Sequence, residues 1–232
     1  YSSGGTIDLS GSTLSVQGSS SPTVIIKNTT LNFKFGTITS ALGGKAIYAS
    51  DASVLNVSGG TISSDTRTSC KDTLIGVFGD SAKMNMTGGT INNTKHNMAV
   101  AVDGQSSFTM SGGTINASSA HALKTQSKAN PSILINGGTI TQTTSPKSTD
   151  ETWCAILAEM NDTSTSSRNY ININGGKISS KYSCVIGISD KGTGRAAITI
   201  GNISTTYTNS TPELISYESY IVDASNTPNK PS

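Results

Sequence analysis

One tryptophan stands in a chain of 232 residues, and its neighbours are of the kind that handle sugars. Trp153 closes the stretch "TQTTSPKSTDETW", which also carries Lys147, Asp150 and Glu151, and Tyr182 follows in "SSKYS". An aromatic ring offers a flat apolar face to a pyranose, while charged and amide neighbours hydrogen-bond its hydroxyls. Trp153, Tyr182, Lys147, Asp150 and Glu151 are therefore the expected ligand-binding set. The structural alternative is that Trp153 plugs a gap where its loop folds over the chain. A second insertion, "EMNDTSTSSRNY", adds Glu159, Asp162 and Arg168 to the same region.

Other residues could do chemistry, and each has a plainer reading. His96 and His121 fall in successive repeats and could approach one another, but no third ligand accompanies them, so no metal is expected. Asp51, Asp80, Asp103, Asp162 and Asp190 recur at similar places, one carboxylate at a time. That pattern suits turn capping by the side chain better than a ladder of calcium sites. Glycoside hydrolysis needs two carboxylates facing one groove, and elimination from uronides needs a base with acidic partners. The outward strand positions read as Asn, Thr, Ser and Leu, so no catalytic residues and no cofactor are expected. Cys154 and Cys184 open corresponding segments, "CAILA" and "CVIGI". If those segments stack as neighbouring strands, their Cα atoms lie about 4.8 Å apart, within disulfide range. Whether they bond or stay as buried thiols is open, and Cys70 is left over in either case.

The elements that must carry these residues are written as a repeat. "GGTI" ends at Ile7, Ile62, Ile91, Ile115 and Ile140, "FGTI" at Ile38, and weaker copies, "GGKI" and "IGNI", at Ile178 and Ile203. The steps run from 24 to 38 residues, which suits one turn of a solenoid. Ahead of each corner the pattern has period two: Leu55 and Val57, Met84 and Met86, Phe108 and Met110, Ile133 and Ile135, Ile171 and Ile173 alternate with Asn, Thr or Leu. One face turns in and the other out. A third apolar stretch follows a variable loop, as in "AIYAS", "LIGVF" and "MAVAV". Each coil therefore has three strands, and parallel stacking of coils explains the chain better than an antiparallel sandwich. Thr6, Thr37, Thr61, Thr90, Thr114 and Thr139 are expected in one outward column, broken at Lys177. "SSSPTVIIKNTT" and "PELISYESYIVDA" are the expected end caps.

The repeat resembles the right-handed parallel β-helices of the pectate-lyase-like superfamily, and in particular GGTI-rich segments of secreted bacterial surface proteins. The resemblance implies an all-β fold of about eight three-stranded coils forming a single domain over residues 1–224, with 225–232 as a linker-like tail. It also implies a secreted or cell-surface, adhesin-like binding module without catalysis, whose partner is a glycan or host surface ligand. A polysaccharide lyase or hydrolase, a structural spacer and an ice-binding solenoid are the alternatives.

Composition narrows the rest. A formal charge of +2, with 13% of residues charged, supplies no basic excess for nucleic acid. No apolar run approaches the length of a membrane span. The chain starts at Tyr1 without an initiator methionine, from which a processed or excised segment is expected.

Overall fold

The computed structural model describes residues 2–3, 5–9, 12–15, 21–40, 43–64, 70–126, 129–144, 153–159, 168–181, 185–189, 195–201 and 213–216. Among the described residues there is no helix, and every strand pairs in parallel with the one a turn away. An eight-stranded sheet and a fourteen-stranded one result. The larger sheet is two faces joined where Ser132–Gln142 and Arg168–Ser180 run through the corner unbroken. The protein is a parallel β-solenoid with three faces.

The first face holds Thr6–Leu9, Thr30–Phe33, Val54–Val57, Lys83–Met86, Ser107–Met110, the starts of Ser132–Gln142 and Arg168–Ser180, and Arg195–Ile200. Its inward residues stack in register, Leu31 on Leu55, Met84, Phe108, Ile133 and Ile171, all without solvent exposure. The second face carries the isoleucine column Ile38, Ile62, Ile91, Ile115, Ile140 and Ile178, equally buried. On the third face, Ile47, Ile75, Val100, Leu123, Ile156 and Ile186 form the matching column. One turn of three short strands cannot bury its own apolar side, whereas stacked turns share one continuous core.

The glycine pair at the corner does two separate jobs. A Cβ at Gly88 would lie 2.4 Å from the Ser58 carbonyl oxygen of the previous turn, so the first glycine permits the close approach of two backbones. Gly89 has φ of 79°, a left-handed conformation that a side chain resists.

Both ends of the repeat depart from the sequence pattern. Ile7 stacks on Leu31 of the first face, and Leu14 takes the place beneath Ile38, so Thr6 and Asp8 fall outside the threonine column and Thr13 enters it. At the far end Leu214 follows Ile178, and Ile203 lies outside the described residues. The proposed caps are also strands of the stack: Val24–Lys27 pairs with Ile47–Ser50, and Glu213–Ser216 with Lys177–Ser180. Gly-Thr-Ile marks a turn followed by an inward residue, a pattern that serves equally at either corner. Residues 225–232 lie outside the described residues.

Candidate functional site

Of the expected binding set, Trp153 alone falls among the described residues; Lys147, Asp150, Glu151 and Tyr182 lie outside them. Trp153 is half-buried and leads directly into Cys154, which is fully buried and packs with Leu157 in a small cluster apart from the main core. Cys154 is disulfide-bonded. Its backbone N–H donates to Nδ1 of His121 at 3.1 Å, one strand away. The same Nδ1 lies 3.3 Å from the Cys154 carbonyl oxygen, so the ring is held against the Cys154 backbone on the neighbouring strand. Burial, reinforced by the Lys124 charge, lowers the His121 pKa to about 4.

His96 is not beside His121. The register sets His96 against Cys70 and His121 against Met98, so the two rings are offset by two residues along the strands. His96 is buried and bonds the Gly44 carbonyl through Nε2 at 3.0 Å, while its Nδ1 makes no hydrogen bond. Burial holds this imidazole below the usual histidine range, with the Gly44 bond opposing. No group of three or more potential metal ligands occurs among the described residues. Of the recurring aspartates, Asp103 Oδ1 accepts the Gly104 N–H at 2.7 Å and Asp51 pairs with Lys27 at 3.3 Å, while Asp162 and Asp190 lie outside the described residues.

An ion pair on the third face was not legible in the sequence. Lys124 and Glu159 point outward from neighbouring strands and meet at 2.7 Å, with side chains only 12% and 8% exposed. The pairing spans an insertion, so no fixed spacing announces it. The Glu159 backbone carbonyl accepts from Asn169 Nδ2 at 3.1 Å, which ties the end of the third face to the start of the first.

Two outward patterns line the other faces. On the first face the amides form a ladder: Asn32 donates to Asp8, Asn56 to Asn32 at 2.8 Å, and Asn85 to Asn56 at 3.0 Å. Stacked amides can do this because each has both a donor and an acceptor and the strand spacing matches a hydrogen bond. The ladder ends at Thr109, and Leu134 comes next in the column. On the second face Thr37, Thr61, Thr90, Thr114 and Thr139 stack in register. Their hydroxyls make no hydrogen bond among the described residues, whereas the column two residues on is tied internally, Thr39 to Ser63 at 3.1 Å and Asn116 to Asn92 at 2.9 Å. Two large apolar side chains stand exposed among the described residues, Phe35 at the first-glycine position of its corner (62%) and Tyr170 on the first face (36%).

Fold and surface together define a parallel β-solenoid, two of whose outer faces carry columns of amide and hydroxyl groups. Comparison of the chain with protein-family models, with curated proteins and with solved structures finds no match.

Proposed function

We propose that the protein is a non-catalytic, extracellular binding module that recognises a glycan, in the manner of an adhesin. The observation that carries this reading is the threonine column of the second face. Its five hydroxyls are left free on a rigid sheet, repeating about every 4.8 Å, beside a parallel column of amides and hydroxyls. A polymer with hydroxyls along its length can hydrogen-bond to successive rungs without the protein having to reorder. The sugar-type residues around Trp153, and the resemblance to pectate-lyase-like β-helices, lead to the same class of ligand. The disulfide at Cys154 supports a secreted or cell-surface location, because such bonds persist in oxidising compartments.

The test is a glycan array probed with the wild-type chain, with Trp153→Ala and with a Thr90→Val, Thr114→Val double variant. Every bound polysaccharide is then incubated and assayed for new reducing ends and for unsaturated uronide absorbance. Binding without turnover, weakened at least tenfold in either variant, is the expected result. Turnover would replace the reading with a lyase or hydrolase. The free threonine column also favours an ordered-water ligand, so an empty array combined with inhibited ice recrystallisation would replace the glycan with ice.

A further inference from the structure

Where the amide ladder of the first face stops, the surface changes character. Leu134 faces outward in a column otherwise built from Asp, Asn and Thr, and Tyr170 stands on the next strand, directly opposite Ser132 and diagonal to Leu134. The ring is 36% exposed and Leu134 is half-buried, so together they make an apolar step on a flat, hydrogen-bonded sheet. The polar groups around the step differ from those of the ladder. The amide of Asn172 and the hydroxyl of Thr109, which flank Leu134 on either side in its column, make no side-chain hydrogen bond among the described residues, whereas Asn32, Asn56 and Asn85 are tied to one another. Two residues before Tyr170 on the same outward side, Arg168 is exposed, and no ion pair involves it among the described residues. An exposed guanidinium is a ready bidentate donor to a carboxylate or sulfate.

We propose that this end of the first face is a binding site for an anionic sugar residue. The acidic sugar lies on Tyr170 with its carboxylate or sulfate held by Arg168, and the adjoining unit rests on Leu134 with Asn172 and Thr109 in reach of its hydroxyls. The pieces are complementary in chemistry and in spacing. One residue pair along the strand separates the ring from the cation, roughly 7 Å, and one strand interval plus one residue pair separates it from Leu134, roughly 8 Å. An acidic sugar unit on Tyr170 therefore reaches Arg168, and the adjoining unit of the polymer covers Leu134. The inference rests on the glycan reading above and deepens it, since it names the acidic group and places the site on the sheet rather than in the Trp153 loop.

The experiment uses the full chain and three soluble polysaccharides: dextran, which is neutral, dextran sulfate, which carries sulfate, and hyaluronan, which carries carboxylate. Dissociation constants are measured by affinity electrophoresis and calorimetry for wild type, Tyr170→Ala, Tyr170→Phe, Arg168→Gln and Trp153→Ala, with circular dichroism confirming that each variant is folded. The expected result is binding to at least one anionic polymer and not to dextran. Tyr170→Ala and Arg168→Gln should each weaken it about tenfold, while Tyr170→Phe keeps wild-type affinity. Preference between sulfate and hyaluronan identifies which acid the site takes. Anionic binding that survives both Tyr170→Ala and Arg168→Gln would overturn the inference, as would equal affinity for dextran. If Trp153→Ala alone abolishes binding, the glycan reading stands and this site falls; if none of these polymers binds but the array finds a neutral glycan, the acidic class falls alone.

Discussion

His121 is held neutral by its surroundings: the ring is buried and the Lys124 charge lies near it, which outweigh the opposing Cys154 backbone bond and the Glu159 charge. Its folded pKa of about 4 sits below the unfolded value of 6.5, so between those pH values the unfolded chain binds the proton and the folded chain does not. Stability from this group is complete above about pH 6.5 and is lost as the pH falls toward 4, by on the order of 3 kcal/mol. His96 works in the same direction, being buried as well. Replacing His121 by Gln keeps a polar side chain but removes the titration. Urea unfolding at pH 7 and pH 4.5 should therefore show a smaller loss of stability for His121→Gln than for wild type, and identical losses would mean that the ring is not shielded as described. The sequence shows both histidines in successive repeats, where they could approach one another. Counting turns could not reveal that insertions leave His96 and His121 two residues out of register. The same blindness hid the Lys124–Glu159 pair and the approach of Tyr170 to Leu134, each joined across an insertion of irregular length.

The corner is the element on which the fold depends, and there the sequence was most readable. Gly-Gly followed by a β-branched pair carries both geometric requirements locally, a close approach at the first glycine and a positive φ at the second. The isoleucine column from Ile38 to Ile178 could be placed without knowing anything distant. At the N-terminal end the motif misled, because Ile7 carries the string without the position. The two glycines predict distinguishable damage. Gly88→Ala puts a methyl group 2.4 Å from the Ser58 oxygen, which is backbone and cannot rotate away, so the two turns must separate. Gly89→Ala costs about 1 kcal/mol or more for its left-handed φ, and its Cβ would also meet the Gly59 oxygen at 2.6 Å. Thr87, one residue earlier, is exposed and its replacement by Ala should be nearly neutral. Thermal unfolding of the three variants should rank Thr87→Ala close to wild type with both glycine variants several degrees lower. A Gly88→Ala protein as stable as wild type would contradict the backbone contact.

At the scale of the whole molecule the stack behaves as a one-dimensional array, each turn held only by its neighbours, so a covalent tie between turns has more than local reach. Cys154 provides such a tie. Cys154 stands two residues before Ile156, whose register partner is Ile186, while Cys70 belongs to a strand two removed from His121–Gln126 and three removed from Ile156–Glu159. Cys184 lies outside the described residues, and the count along the ladder makes it the expected partner. Closing a loop of this size constrains the unfolded chain by on the order of 3 to 4 kcal/mol. That stabilisation falls unevenly along the stack. The strands from Ile156 onward are separated by the longest insertions, whereas the turns from Ile38 to Ile140 repeat every 24 to 29 residues and hold amide ladders. Peptide mapping without reductant should recover Cys154 linked to Cys184, and a Cys154–Cys70 peptide would refute the assignment. On reduction, hydrogen exchange should accelerate first in Ile156–Glu159 and the strands beyond it, with the amides of Met84, Phe108 and Ile115 protected as before. Uniform acceleration along the chain would show instead that the solenoid unfolds as one cooperative unit, and that the disulfide stabilises all of its turns together.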